Sequence, residues 1–223
     1  MDDEIRKVVE STIDDFCLLF YKHPYLEYNE SGVHALFFHI LSENFIKKGI
    51  PLYDDYIRGD TNERVCLIQK EYRMFGKCNK TKAASWDICV LNNPLKSVID
   101  LGEVNECNQS PYDCLEINSI VEFGLKANVG HMKDDVERLA HNECNAIGKF
   151  IVHLERFSDY FSGRDYPLKS NDIFPTEDDM KYLTNNNKII IYYVRTNKNN
   201  EADQKVWKFS DGRITNLLQS LNK

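Results

Sequence analysis

The chain has 223 residues, of which 42% are hydrophobic, and it carries a formal net charge of −7 at pH 7. That length and apolar content suit one domain with a substantial core, so a stabilising scaffold of cross-links is not required. The negative charge argues against a surface built as a whole for polyanions, because phosphate neutralisation by Lys and Arg dominates non-specific nucleic-acid binding. Any contact with nucleic acid must therefore be local.

The cysteine pattern and the N-terminus bear on the compartment. The 7 cysteines form no CxxC pair, so neither a zinc framework nor a disulfide scaffold is indicated. The first ten residues are charged from the second position onward, and no apolar run is long enough to cross a bilayer. We expect a reducing, cytoplasmic location and no membrane partner.

Two amphipathic helices are predicted first along the chain. The first covers residues 3–21, where apolar residues recur along one helical stripe. The second starts at an Asn29 or Ser31 cap and runs to a stop at Gly49. Glu30 falls in the first turn of this second helix, at the N-terminal end of its buried stripe, where the helix dipole also favours an acid.

A polar connection follows, and then come three short apolar runs, "RVCLIQKEYRM", "WDICVLN" and "SIVEFGL", which predict strands. The first two read as a hairpin, and the last two are separated by an irregular insertion over residues 92–119. A helix from Met132 to about Asn142 and a strand at "KFIVHLERF" complete a strand–helix–strand unit, which favours parallel pairing.

The C-terminal part predicts a short helix opening at Thr176, strands at "KIIIYYVRT" and "KVWKFS", and a terminal helix over "RITNLLQSLNK". The whole pattern indicates a single α/β domain over residues 1–223, with a mixed central β-sheet flanked by helices.

The loop of the predicted hairpin, "FGKCNKTKAAS", concentrates positive charge. Lys77, Lys80 and Lys82 occur there with no intervening acid. They are the candidate nucleic-acid-binding residues, because three lysines on one loop could contact successive phosphates. The alternative is an ordinary solvated loop tip.

The run "SIVEFGLK" places an acid inside a strand. Side chains alternate across a strand, so Glu122, Gly124 and Lys126 share one face, while Val121 and Phe123 point to the other. One face is expected to be core and the other to form a site. A buried carboxylate needs a counter-charge, and a divalent metal is one candidate.

Four acids follow the order of these elements: Glu30 on a helix, Glu71 and Asp87 on the hairpin strands, and Glu122 on the third strand. This arrangement, over residues 29–155, resembles the PD-(D/E)XK nuclease superfamily, whose restriction-endonuclease-like core runs helix, three-stranded meander, helix, strand. The resemblance implies the same fold here.

By position, the resemblance implies that Asp87 and Glu122 bind Mg²⁺, with Mn²⁺ as the expected substitute, and that Glu30 and Glu71 assist them. The chemistry has a physical reason. Hydrolysis of a phosphodiester needs charge neutralisation on the phosphate and an acidified water, both of which a metal ion supplies. Mg²⁺ prefers hard oxygen ligands such as carboxylates.

The chain departs from the family pattern at one position, because Gly124 stands where the family has its lysine. Lys126 lies on the same nominal face and would take the lysine role if a bulge at Gly124 shortened the path. Lys70 on the neighbouring strand is a second candidate, although regular alternation points it away from Glu71.

The function that the resemblance implies is a metal-dependent nuclease acting on DNA rather than RNA, in a setting such as defence against foreign DNA. Cleavage of both strands would suit a homodimer, because two strands need two symmetry-related sites. The alternative is a catalytically lapsed module of the same fold that binds nucleic acid or a protein partner. Gly124 and the acidic net charge favour this alternative.

Overall fold

The fold is that of a computed structural model, which describes residues 2–27, 29–58, 61–73, 85–95, 115–125, 129–141, 144–156, 158–159, 164–165, 178, 188–196 and 204–222. Its helices are α1 (Asp2–Lys22), α2 (Glu30–Lys48) and α3 (Val129–Ala140), with a 3-10 helix over Leu217–Asn222. Its strands are β1 (Tyr53–Arg58), β2 (Thr61–Cys66), β3 (Ile68–Arg73), β4 (Ser85–Leu91), β5 (Ile117–Leu125), β6 (Gly148–Arg156), β7 (Ser158–Asp159), β8 (Arg164–Asp165), β9 (Ile190–Thr196), β10 (Lys205–Ser210) and β11 (Arg213–Asn216).

Capping residues determine where α2 begins and ends. The side-chain oxygen of Asn29 accepts a hydrogen bond from the Gly32 amide at 2.8 Å, so Asn29 is the N-cap. Gly49 has a φ of 71°, the left-handed conformation that closes many helices. The amide of Ile50 then donates to the carbonyl of Phe45 at 2.9 Å. The predicted start and stop of this helix are confirmed.

Helices α1 and α2 each bury an apolar stripe, as helical periodicity predicts. The stripe of α1 consists of Ile5, Val8, Val9, Ile13, Phe16 and Phe20. The stripe of α2 consists of Val33, Phe37, Leu41 and Phe45. No helix among the described residues combines the length and the apolar character that a membrane span needs.

Seven strands form a mixed sheet in the order β11-β10-β9-β6-β5-β4-β3. Strand β6 pairs with β9 in parallel, whereas the β3–β4, β4–β5, β9–β10 and β10–β11 pairs are antiparallel. The predicted α/β class, the hairpin and the mixed sheet are therefore confirmed. Strands β1 and β2 form a separate two-stranded sheet.

The chain divides into two compact units. The first comprises residues 1–12, 34–121 and 141–148, and the second comprises residues 13–33, 122–140 and 149–223. Strand β5 belongs to the first unit as far as Val121 and to the second from Glu122 onward. A single domain over the whole chain stays a prediction.

Three predicted segments differ from the structure. The segment after α2, predicted as a polar connection, contains β1, in which Tyr56 is 7% exposed. The run "RVCLIQKEYRM", predicted as one strand, is divided between β2, which pairs with β1, and β3. The C-terminal segment, predicted as a helix, is strand β11 followed by a 3-10 helix. The strands concerned are short, and a short run of residues does not separate a strand from a loop or a helix by its pattern.

Several predictions concern residues outside the described part of the chain. They are Lys77, Lys80 and Lys82 of the hairpin loop, Lys126 after β5, and the short helix opening at Thr176. Most of the predicted insertion, residues 96–114, also lies outside it. These assignments stay predictions.

Four cysteines are described, Cys17, Cys66, Cys89 and Cys144, and all four are free thiols. Burial raises the pKa of Cys17 well above its usual value, and nearby Asp14 raises it further, against an opposing effect of Lys208. Burial also raises the pKa of half-buried Cys66. Thiols with raised pKa values stay protonated, so these two are poor nucleophiles at neutral pH.

Candidate metal centre

The first unit brings together two of the predicted acids, Glu71 of β3 and Asp87 of β4. The register of the β3–β4 hairpin pairs the residues on either side of both positions, so the two acids lie opposite each other. A third residue, His34 of α2, joins them. One potential ligand atom from each of the three lies within 4.8 Å of the others.

The cluster of His34, Glu71 and Asp87 is closed at one end and open at the other. The side chain of His34 is 5% exposed, and its Nε2 lies 3.6 Å from Oδ2 of Asp87, whose side chain is 21% exposed. Glu71 is exposed. A cation could therefore reach the carboxylates from solvent, while the imidazole stays in the interior.

Glu71 has an unusual backbone for a residue inside a strand. Its φ is 52°, in the left-handed region that non-glycine residues enter at a cost of about 1–2 kcal/mol. The Ser85 hydroxyl donates a hydrogen bond to Oε2 of Glu71 at 2.9 Å. Strained conformations of this kind concentrate at functional sites, where the surrounding structure maintains them.

Glu122 lies in the second unit, on a part of β5 that is buried. Every residue from Asn118 to Gly124 is buried, which means that both faces of this part of β5 are covered. Glu122 is 3% exposed. Its Oε2 lies 3.5 Å from Nη2 of Arg138 on α3, so the expected counter-charge includes an arginine.

Glu30 also lies in the second unit, at the exposed first turn of α2. Its Oε1 accepts a hydrogen bond from the amide of Leu125 at the end of β5, at 3.3 Å. The predicted helix-borne acid is thus close to the strand that carries Glu122 and Gly124. It contributes here by holding a backbone amide, a role that needs no metal.

His34 is not among the site residues that the sequence predicts. A signal was present in the helical pattern. His34 falls beside Val33 on the buried stripe of α2, and a polar residue on such a stripe needs a partner. Asp87 is one such partner, and it could be recognised only once the helix and the strand were placed in space.

The donor set at His34, Glu71 and Asp87 can be tested against the expected Mg²⁺. Two carboxylates suit a hard divalent cation, which takes one or two of them together with water and substrate oxygens. An imidazole nitrogen is a softer ligand, more typical of transition metals than of Mg²⁺. The cluster therefore fits a divalent cation and favours Mn²⁺, the expected substitute, over Mg²⁺.

Comparison of the chain with models of protein families, with curated proteins and with solved structures gives no match. The functional interpretation therefore depends on the residues described above and on the resemblance in the order of elements and acids.

Proposed function

We propose that this protein is a metal-dependent phosphodiester hydrolase of the restriction-endonuclease-like fold, acting on DNA rather than RNA. The observation that carries the proposal is the convergence of Glu71, Asp87 and His34 within 4.8 Å. The proposal extends to the setting, defence against foreign DNA, and to a homodimer that would cut both strands.

The order of elements supports the proposed fold. Helix α2 is followed, after the β1–β2 hairpin, by the antiparallel meander β3-β4-β5, then by α3 and β6. Apart from that hairpin, this order agrees with the helix, three-stranded meander, helix, strand order that the resemblance implies. The meander is what brings an acid of its first strand against an acid of its second.

The proposed roles follow from the contacts of each residue. Asp87 and Glu71 would hold the cation, and His34 would orient Asp87 or complete the ligand set. A bound metal ion would neutralise the phosphate and make its water more acidic. Lys126 is the proposed lysine, and Glu122, which the resemblance assigns to metal binding, would have to exchange its contact with Arg138 for the cation.

Asp87→Asn tests the cluster directly. A ligand that binds only the folded state stabilises it, by about 2.7 kcal/mol at 100 times its Kd, so Mn²⁺ should raise the melting temperature of the wild type. Asp87→Asn should remove most of that rise, and Mg²⁺ should stabilise less than Mn²⁺. Stability is measured by a thermal melt with each cation. Cleavage is measured by nicking of supercoiled plasmid and by hydrolysis of single-stranded DNA and RNA.

The matched control is Glu43→Gln. Glu43 also has a histidine nearby, His39, at 3.4 Å, but both side chains are at least half exposed. This variant should keep the Mn²⁺ effect and the cleavage. The proposal would fail if Mn²⁺ raised the melting temperature of Asp87→Asn as much as that of the wild type and the variant cleaved DNA at the wild-type rate. Asp87 would then not be a ligand.

The second candidate is a non-catalytic module of the same fold, and the environment of Glu122 favours it. A carboxylate that is 3% exposed and paired with Arg138 is poorly placed to exchange ligands. Gly124 adds to this, because it supplies no lysine. Under this hypothesis the wild type binds nucleic acid or a protein but cleaves no DNA with Mg²⁺ or Mn²⁺, even when the melt shows that a cation binds.

A further inference from the structure

A second group of potential metal ligands lies on α3 and β6, within the second unit. His131 and Asp135 are one helical turn apart on α3, a spacing that places both on one face. His153 comes from β6. One ligand atom from each of the three residues lies within 4.8 Å of the others.

The distances converge on one carboxylate oxygen. Oδ2 of Asp135 lies 3.4 Å from Nε2 of His131 and 3.8 Å from Nε2 of His153. Two ligand atoms at about 2.1 Å from a metal, in tetrahedral geometry, are about 3.4 Å apart. The first distance already fits a shared metal ion, and the second needs a movement of only a few tenths of an ångström.

Two of these atoms are buried and make no hydrogen bond within the part of the chain that the structure describes. They are Oδ2 of Asp135 and Nε2 of His153, in side chains that are 1% and 2% exposed. A buried polar atom without a hydrogen bond costs free energy, and such atoms in native proteins need an explanation. A metal ion between them would satisfy both.

The surrounding charges favour a cation. The other oxygen of Asp135, Oδ1, accepts a hydrogen bond from Arg138, which leaves Oδ2 directed at the two histidines. The same arginine lies 3.5 Å from Glu122. With neutral imidazoles, two carboxylates face one guanidinium, so one negative charge is in excess. Arg138 would fix the carboxylate in the way that outer-shell partners hold metal ligands.

The donor types select the class of ion. Two imidazole nitrogens and one carboxylate oxygen suit borderline transition metals, whereas Mg²⁺ and Ca²⁺ prefer oxygen ligands alone. His131 is 49% exposed, so the group is accessible from solvent. No fourth ligand joins the three among the described residues, which is typical of sites that leave a position for water.

We propose that His131, Asp135 and His153 bind one divalent transition-metal ion, of the class of Zn²⁺ or Fe²⁺. This site is separate from the cluster of His34, Glu71 and Asp87, and it stands whether or not the protein is a nuclease. The bound ion would connect α3 to β6 and present an open position to solvent at His131.

The test is a titration of the chelator-treated full chain with Zn²⁺ by calorimetry, and with Co²⁺ by visible absorption. It is carried out in an Asp87→Asn background, because the first cluster offers a competing set of ligands. One equivalent of metal should bind. His131→Ala should weaken binding by about tenfold or more, in the range by which even outer-shell changes alter metal affinity.

Two further variants make the result decisive. His39→Ala is the matched control, since His39 and Glu43 form the same one-turn pair on α2 but belong to no group of three potential ligands among the described residues. Its affinity should equal that of the background. Asp135→Asn should abolish the Co²⁺ spectrum. Because His131 is half exposed, its replacement should leave the fold intact, as circular dichroism would check.

The proposal is overturned if the background protein binds no Zn²⁺ or Co²⁺, or if His131→Ala binds them as tightly as the background does. If Asp87→Asn loses nuclease activity but still binds Zn²⁺, the site at His131, Asp135 and His153 is supported. The loss of activity then concerns only the cluster of His34, Glu71 and Asp87.

Discussion

Glu122 and Asp135 are carboxylates that are 3% and 1% exposed, and Arg138 contacts both of them. Removing one partner of a buried ion pair typically costs 3–5 kcal/mol, because the remaining charge is left without compensation. Arg138 therefore restrains two functional candidates at once. It forms an ion pair with Glu122, which the resemblance assigns to one metal, and it donates a hydrogen bond to Asp135, which we assign to another.

At Glu71, mutation can separate the free-energy cost of the strained backbone from the contribution of the carboxylate to metal binding. Glycine accepts a φ of 52° without strain, so Glu71→Gly should raise the free energy of unfolding without metal by about 1 kcal/mol. The same change removes a carboxylate, so the added stability from Mn²⁺ should fall. Urea denaturation with and without Mn²⁺ measures both effects.

Glu71→Gln is the control for this variant, because it keeps the strained backbone and loses only the charge. Its stability without metal should resemble that of the wild type, with a reduced Mn²⁺ effect. An unchanged Mn²⁺ effect in both variants would exclude Glu71 as a ligand. A less stable Glu71→Gly would show instead that the side-chain contact with Ser85 outweighs the strain.

The sequence predicts the site only where its residues lie on neighbouring elements of the chain. Glu71 and Asp87 lie on consecutive strands of one hairpin, so their meeting follows from the loop between two apolar runs. The partners from helices could not be found in that way. His34 and Arg138 reach Asp87 and Glu122 through packing of a helix against the sheet, and no spacing in the sequence encodes such contacts.

Among the elements, the β10–β11 hairpin depends on its two-residue turn. Asp211 and Gly212 have φ values of 49° and 70°, the pattern of the tight turns that match strand twist. Ser210 pairs with Arg213 directly across this turn. An Asp-Gly pair between apolar runs is a strong hairpin signal, which the prediction of a terminal helix did not use.

Gly212→Ala tests this turn. A side chain at a φ of 70° is strained, so the substitution should lower the free energy of unfolding by about 1 kcal/mol. Asp211→Asn is the matched control and should change it by less than about 0.5 kcal/mol, because Asn tolerates the left-handed region. Urea denaturation measures both, and a Gly212→Ala variant as stable as the wild type would contradict the turn assignment.

Elements with a long, regular pattern could be predicted, whereas β1 and β11 could not. Helices α1 and α2 present several turns of one apolar stripe, and β9 is an unbroken buried run. In the C-terminal segment, Ile214, Leu217 and Leu218 recur at helical spacing over a single turn, which imitates a helix. The two acids of "YDDYIR" similarly interrupt the apolar pattern of β1, in which Tyr56 is buried.

At the scale of the whole molecule, the net charge of −7 opposes binding of a polyanion. A protein with excess acid repels DNA at a distance, so attraction must come from a local group of cations at short range. The three lysines of the hairpin loop are the densest such group in the sequence. Their contribution can be measured through the salt dependence of binding, because each phosphate contact releases counterions.

Replacing Lys77, Lys80 and Lys82 with Gln should weaken duplex binding and make the slope of log K against log salt shallower by about two to three units. A second triple variant changes three lysines elsewhere, Lys7, Lys47 and Lys48, which are exposed on helices α1 and α2. Both variants take the net charge from −7 to −10 by losing three positive charges, so a difference between them reports position and not total charge.

Fluorescence anisotropy with a labelled duplex over a range of salt gives the slopes. Equal slopes in the wild type and the loop variant would make the loop an ordinary solvated tip, and an equal loss in both variants would mean that net charge alone governs binding.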